Sequence, residues 1–394
     1  MKYEYNYFIE KSNQLFSKIR EYRRHIHSNP ELSFKEYNTS KFIKSKLEEL
    51  NIEHKTLCET GVVAHIGDKS KNCVALRADI DALPIIEETG LEYSSVNNGI
   101  MHACGHDMHT SMLLGASEIL KNIESDLNGC VKLIYQLGEE KLPGGATLMI
   151  NEGVLENPTP KAIFGQHIYP GENVGIISTN FGYVMGSADE LYITVRGNST
   201  HAAQPQLGND PILASAMIIQ FVQHIITKYR NPLEPAVINI TAINGGTATN
   251  IIPDEVKLMG TIRTFNEDLQ NTIHHHLNHD LKLIGSTYGC EVEVNILKGY
   301  PPVFNNKELT EFVINNSKEI YGDENFVEFE PKMWGEDFAY YGKQIPACFW
   351  FIGVKNPKLV SMPALHNSKI NPEEEAMING MAIMAYNAYK YLNQ

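Results

Sequence analysis

Hydrophobic positions change their spacing several times along the chain, and the changes mark out its elements. Over residues 8–50 the apolar residues keep a helical spacing that breaks at Asn29-Pro30. Glu31-Leu32-Ser33 is then expected to open a second helix through Phe42, Ile43 and Leu47. β-rich runs follow at 61–66 and 73–76, the second leading into Arg77-Ala78-Asp79-Ile80-Asp81. Met108, Met112, Ala116, Ile119, Leu120 and Ile123 fall on one helical face and predict a helix over 106–123. Strands are expected at 131–135 and 162–164, ending at Glu139-Glu140 and Gln166-His167 respectively. Strands alternating with helices predict an α/β sheet, and polar residues just past strand ends are where such sheets place their sites.

From about Met185 the order changes to strand (191–195), helix (211–228), strand (236–243), strand (256–263), helix (269–284), strand (290–296). Asp210 is the expected N-cap of the first of these helices, with Pro211 at its first position. A β-α-β-β-α-β order is the ferredoxin-like pattern, long enough here to be a domain inserted into the first. A helix at 307–320, a strand at 348–354 and a helix at 372–392 then resume the α/β rhythm. The expected division is 1–184 and 300–394 for one α/β domain, with 185–299 as the insertion.

Size and charge narrow the role. A chain of 394 residues is too long for one ordinary core, so two domains are expected. The formal net charge of −14 argues against nucleic acid or an anionic membrane surface as partner, and suits a cation site. The six cysteines are scattered without a C-x-x-C pair, which points away from a disulfide framework and toward a reduced, cytoplasmic setting. The N-terminal residues lack the apolar run of a signal peptide, and no later segment is expected to approach the roughly 20 apolar residues of a membrane span.

Metal-competent side chains stand at four places that end a strand or open a helix: Cys104 with His106, Glu139 with Glu140, His167, and His366. Cys104 and His106 lie at a helix entrance, where orphan N–H groups and the helix dipole are expected to favour a thiolate. Adjacent glutamates at a strand end point to opposite sides, so one can bind metal while the other faces substrate. That arrangement suits metal-assisted hydrolysis, in which a free carboxylate takes the proton of an activated water. Taken singly, each of these residues is ordinary; their joint placement carries the reading. His274-His275-His276 with His279 is a more conspicuous histidine group, but it lies on a helix of the insertion and reads as a solvated face. A cysteine hydrolase built on Cys104 and His106 is disfavoured by their closeness in sequence, and a metal-storage protein would have no use for Glu139. Nucleotide-binding and serine-hydrolase motifs are missing from the sequence.

The run from Arg23-Arg24-His25-Ile26-His27 to Pro30-Glu31-Leu32-Ser33 is the first of a series of matching segments. Leu-Arg-Ala-Asp-Ile-Asp-Ala-Leu-Pro, Met-His-Ala-Cys-Gly-His-Asp, Gly-Glu-Glu, Gly-x-His-x-x-Pro and His201-Ala202-Ala203-x-Pro205 follow. Thr249-Asn250-x-Ile252-Pro253, Gly335-Glu336-Asp337-Phe338 and Leu365-His366-Asn367 complete the series. Together these resemble the M20 metallopeptidases, within the amidohydrolase branch of hippurate hydrolases, N-acyl-amino-acid deacylases, auxin-conjugate hydrolases and N-acetyldiaminopimelate deacetylase. The resemblance implies a mixed-sheet α/β catalytic domain with an inserted ferredoxin-like lid and dimerisation domain. It implies two divalent metals per subunit (Mn, Zn, Ni or Co) held by a bridging Cys104 with His106, Glu140, His167 and His366, with Glu139 as general base. Asp79 would orient an imidazole ligand through its other nitrogen. His201 would reach a partner subunit's site to stabilise an oxyanion, and Asn250 with Arg263 would grip the substrate's carboxylate. The implied reaction is hydrolysis of N-acyl amino acids by a homodimer or dimer of dimers, with a dipeptidase or carboxypeptidase as the alternative. Gln206, Met108 and Lys141 depart from residues often found in the branch. Acyl group, amino acid, native metal and pathway stay open.

Overall fold

The computed structural model describes residues 2–394. They form two compact units: one from the chain up to Val184 with Phe304–Glu330 and Asp337–Gln394, the other from Met185–Val303 with Pro331–Glu336. The return of Pro331–Glu336 to the second unit, where Lys332 bridges Met185, has no signature in the hydrophobic pattern.

In chain order the elements are α1 (Tyr5–Ser28), α2 (Tyr37–Glu49), β1 (His54–Leu57), β2 (Gly61–Gly67), β3 (Cys73–Asp79), α3 (His106–Asn122), β4 (Cys130–Gln136), α4 (Gly145–Asn151), β5 (Ala162–Asn173), β6 (Ile177–Thr179) and β7 (Gly182–Met185). The second unit contributes β8 (Ala188–Arg196), β9 (Thr200–His201), α5 (Pro211–Tyr229), β10 (Ala236–Asn244), β11 (Ile251–Ile252), β12 (Glu255–Thr264), α6 (Glu267–Thr287) and β13 (Glu291–Tyr300). Last come β14 (Val303–Asn305), α7 (Lys307–Tyr321), β15 (Phe326–Glu328), α8 (Ala339–Gly342), β16 (Ala347–Lys355) and α9 (Ala376–Leu392).

The first unit is built on an eight-stranded mixed sheet in the order β1-β2-β4-β3-β5-β16-β6-β15. Its centre is parallel, β4-β3-β5-β16; β3 and β4 are buried throughout, and β5 and β16 over most of their length, as a sheet covered on both faces requires. α3 and α9 are buried almost all round and share one core with β3, β4, β5 and β16. α3 therefore has no solvated face for its polar residues, and His109, Thr110, Ser111 and Ser117 each find a partner inside. The expected second helix starts later than the pattern suggests, at Tyr37. Leu32 instead bridges Ala82, and Phe34 takes a left-handed φ of 67°, so 31–36 is a turn docked against the segment that follows β3.

The second unit is a four-stranded antiparallel sheet, β10-β12-β8-β13, with α5 and α6 closing one core on it through Ala214, Ile218, Val222, Leu277 and Leu281. In order of appearance its strands run 4-1-3-2 across the sheet, the ferredoxin-like topology. Asp210 caps α5 with bonds from the N–H groups of Ile212 and Leu213, and Asn266 does the same for α6 through Asp268 and Leu269. By length and composition the 19 residues of α5 are long and apolar enough to cross a membrane, although Gln220, Gln223, His224 and Lys228 interrupt the apolar run. In this fold one side of it packs on the sheet of its own unit.

Candidate metal centre

Three parts of the first unit deliver the metal-competent side chains. Cys104 ends the irregular segment after β3, where Leu83 and Met101 exchange backbone hydrogen bonds and Ala103 O accepts from His366 N. Gly105 then turns the chain into α3 with a φ of 94°. A Cβ there would lie 2.2 Å from Ile168 Cδ1, so both the conformation and the close approach call for glycine. His106 is the first residue of α3 and Asp107 the second; Asp107 is held by Arg23 Nε at 2.7 Å and His27 Nδ1 at 2.9 Å, both from α1. His167 is not at a strand end, as expected, but inside β5, where it pairs with Phe351 of β16. Glu139 and Glu140 lie in a bend past β4, so strand alternation does not separate them: each offers a carboxylate oxygen within 4.8 Å of His106. His366 sits on a loop with a left-handed φ of 63°.

These residues converge. Cys104 Sγ is 3.3 Å from His167 Nε2 and 3.3 Å from His366 Nε2. Glu140 Oε1 is 3.3 Å from His366 Nε2 and 3.9 Å from His106 Nε2. Cys104 is common to two candidate groups, one with His106 and His167 and one with Glu140 and His366.

Backbone contacts assign the imidazole protons. His106 Nδ1 lies 2.9 Å from the Asp81 carbonyl and must donate to it; His167 Nδ1 likewise donates to the Ile168 carbonyl at 2.7 Å. Each ring is thereby left with Nε2 facing the shared centre. His106 Nε2 and Glu140 Oε1 are buried and have no hydrogen-bond partner. Buried orphans of this kind cost folding free energy unless something else satisfies them, and a cation does so for a ring lone pair and a carboxylate at once. Thiol, imidazole and carboxylate donors at these separations fit divalent cations.

Electrostatics reinforce the fit and correct one expectation. Burial, together with Glu140, Glu139 and Asp79, pushes the Cys104 thiol well above its ordinary value. The helix entrance does not by itself make a thiolate; the surrounding carboxylates outweigh the dipole, and a cation is needed to draw the proton off. Burial would depress His106, but Asp79, Asp81 and Glu140 raise it to about 10, so the pocket favours positive charge at that ring. Burial, then His109, holds His167 well below its ordinary value and keeps it neutral.

Two residues missed in the sequence complete the frame. Asp81, not Asp79, stands behind His106: its carbonyl and Oδ1 (3.2 Å) face Nδ1, while Oδ2 accepts from Glu140 N at 3.0 Å. Asp79 bonds Arg77 (2.6 Å) and His109 Nδ1 (2.6 Å), and His109 Nε2 accepts from Ile168 N. The signal for His109 was a histidine on the same helix as His106; for Asp81 it was a second aspartate just past β3.

His201, Asn250 and Arg263 belong to the second unit. His201 on β9 pairs with Ile251 of β11, and Ala202 N donates to Asn250 O, so one small ribbon carries both His201 and Asn250, exposed. Arg263 on β12 is half-buried and donates to the carbonyls of Asp189 and Ile262.

The sequence profile of peptidase family M20/M25/M40 matches residues 75–390. The chain belongs to that family. Among its relatives, an IAA-amino acid hydrolase (ILR1-like 4) of Arabidopsis thaliana is 36% identical over 98% of this chain and 88% of its own length. The N-acetyl-L-cysteine deacetylase of Bacillus subtilis is 39% identical over 84% of this chain and 79% of its own. A solved structure from Bacillus subtilis, described as a dinuclear metal binding peptidase of the M20 family, superposes with a TM-score of 0.83 at 33% identity. It covers 97% of this chain and 99% of that one. The mixed α/β, two-domain architecture is that of the family.

Proposed function

We propose that this family member hydrolyses the amide bond of N-acyl amino acids, releasing a carboxylate and a free amino acid. The observation that carries the reading is the convergence of Cys104, His106, Glu140, His167 and His366 on one centre with Glu139 beside them. Relatives named for cleaving amino-acid conjugates and an N-acetyl amino acid support the substrate class.

Cys104, His106, Glu140, His167 and His366 would hold two divalent cations; thiolate softness favours Mn, Zn, Ni or Co over Mg or Ca. Bound there, the cations would lower the pKa of water and polarise the scissile carbonyl. Glu139, buried beside His106 and Glu140, accepts the water's proton and delivers it to the leaving nitrogen. Asp81 keeps His106 in the tautomer that leaves Nε2 for the cation. His201 holds the oxyanion, and Arg263 with Asn250 takes the amino acid's carboxylate, a task suited to a planar guanidinium. The second unit serves as lid and as the surface of a homodimer. Exposed Ile212, Leu213, Met217 and Leu283 on its helices, and Ile243 on its edge strand β10, support an apolar contact there. The setting is the cytoplasm.

The test is amine release from a panel of N-acetyl, N-benzoyl and long-chain N-acyl amino acids plus dipeptides, with Mn, Zn, Ni or Co added. Turnover is expected on one N-acyl class, abolished by chelation. Glu139→Gln is expected to lower kcat by about 10²- to 10⁴-fold while metal stays bound. Dipeptides as the preferred substrates would replace the reading with the peptidase alternative, and turnover that survives chelation would overturn it.

A further inference from the structure

The conspicuous motif Pro30-Glu31-Leu32-Ser33 has no part in the chemistry above, yet the turn it begins is docked beneath the glutamate pair. Glu36, fully buried at the end of that turn, points its carboxylate into the loop that carries Glu139. Its Oε1 accepts from Gly138 N at 2.9 Å and from Phe34 N at 2.8 Å, and its Oε2 accepts from Thr60 Oγ1 at 2.7 Å. The ring of Phe34 lies against the Cα of Gly138, where an added Cβ would be 2.3 Å from Phe34 Cε1. On its other side the Gly138 peptide is fixed by Gly145 N donating to Gly138 O at 2.9 Å. From the same turn, Ser33 Oγ donates to Asp81 Oδ2 at 2.6 Å, the oxygen that also takes Glu140 N. Glu139 is thus flanked by two backbone anchors, Gly138 on Glu36 and Glu140 on Asp81, and both anchors lead back to residues 31–36.

A buried carboxylate is an expensive way to hold a turn. Burial, with Asp81 nearby, raises the Glu36 carboxyl to about 7 against the pull of its three donors. Its Oε1 gathers two converging N–H bonds, from Phe34 and Gly138, and the second fixes the peptide next to the proposed base.

We infer that Glu36 is a positioning residue for Glu139: through Gly138 it sets where the base's carboxylate stands, and so acts on proton transfer rather than on metal affinity, which Asp81 supports by its own contacts. This rests on the role proposed for Glu139. Displacing a reacting group by about 1 Å costs on the order of a hundredfold in rate, so Glu36→Ala is expected to lower kcat about ten- to a hundredfold. KM and the Mn²⁺ affinity of the apoprotein should stay within about threefold. Glu36→Gln keeps an acceptor for Gly138 N and can donate its amide to Thr60 Oγ1, so it is expected to recover most of the rate. Thr60→Val removes a donor that does not touch the 138–140 loop, and should lower stability without lowering kcat.

The experiment compares these three variants with the wild type. It reads kcat and KM on the N-acyl amino acid that the wild type hydrolyses fastest, Mn²⁺ titration by calorimetry, and amide hydrogen exchange of the peptides covering 136–145. A fall in kcat for Glu36→Ala with faster exchange at 138–140, recovered in Glu36→Gln, is the expected result. Wild-type kcat in Glu36→Ala, or a loss shared equally by Thr60→Val, would overturn it. Should the wild type hydrolyse nothing in the panel, the functional reading fails separately. Exchange then decides alone, and unchanged protection at 138–140 in Glu36→Ala would overturn the inference.

Discussion

His106 and His167 are buried, with Nδ1 given to a backbone carbonyl and Nε2 turned toward a thiol and a carboxylate. The other histidine group, on α6, is arranged in the opposite way. His274 spends Nε2 on Asp189 at 2.7 Å, His276 and His279 share the Asp280 carboxylate at 2.8 and 2.7 Å, and His276 stacks on Tyr229. His275 and His279 are exposed, their rings stacked 5.7 Å apart. Four histidines in six residues look more like a metal site than three spread between 106 and 366, yet the dispersed set is the one whose nitrogens are left pointing at each other. The lesson is that a ligand is recognised by what its second nitrogen is doing and by whether the first has been left over, and neither is a property of spacing.

The widest separation between the two groups is expected on removing one ring from each. His167→Ala takes a nitrogen from beside Cys104 and should cost more than the ten- to hundredfold typical of losing a hydrogen-bond partner of a metal-bound imidazole, in both metal affinity and activity. A His275→Ala, His279→Ala double variant should change neither. Thermal unfolding with and without Mn²⁺ checks this independently of any substrate. At free metal about a hundredfold above Kd, binding to the folded state alone adds about 2.7 kcal/mol. That stabilisation should persist in the double variant and vanish in His167→Ala. The same stabilisation in both would erase the distinction.

A smaller effect tests the atoms behind the ligands. Asp81→Asn keeps the carbonyl that receives His106 Nδ1 but puts an amide where either His106 or Glu140 N now finds a carboxylate oxygen. A ten- to hundredfold loss of metal affinity is expected in chelator competition. No loss would mean the backbone carbonyl alone sets the ring, and would reduce Asp81 to a turn residue.

Some of this architecture is legible in the sequence alone, and the reasons differ from part to part. The β-α-β-β-α-β order and the helix at 106–123 follow from local spacing, which needs no knowledge of what lies across the sheet. Glu31-Leu32-Ser33 reads locally as a helix start, but its conformation is set by distant segments just past two strands: Leu32 bridges Ala82 and Phe34 seats on Gly138. The apolar run stops at Phe164, which by sequence puts His167 at a strand end. β5 continues because β16 pairs with it through Gly353 and beyond. Cys104, His106, Glu139, Glu140, His167 and His366 could be nominated from residue type and the family resemblance. Asp81, His109 and Glu36 could not, since each acts through a register or a backbone atom far away in sequence. The thiolate expected at Cys104 failed for the same reason: the helix entrance is local, while the carboxylates that oppose it come from β3 and the loop after β4.

The smallest expected effect completes the comparison from the side of the α6 group. Burial alone would raise the Asp280 carboxyl, but hydrogen bonds from His279 and His276 outweigh it and hold it below the ordinary value. A depressed carboxylate contributes stability that is fully present above its unfolded value near 4 and is lost as pH falls through the lower folded one. Because the pair is close to the surface, the contribution is about 0.5 kcal/mol or less. Asp280→Asn should therefore shift the unfolding midpoint by no more than about 2 °C at pH 6 and by nothing near pH 2, with turnover unchanged at both neutral and mildly acid pH. If Asp280→Asn instead lowered metal-dependent activity, the α6 histidines would be doing more than dressing an exposed helix. Converging and saturated nitrogens would then no longer distinguish the two histidine groups.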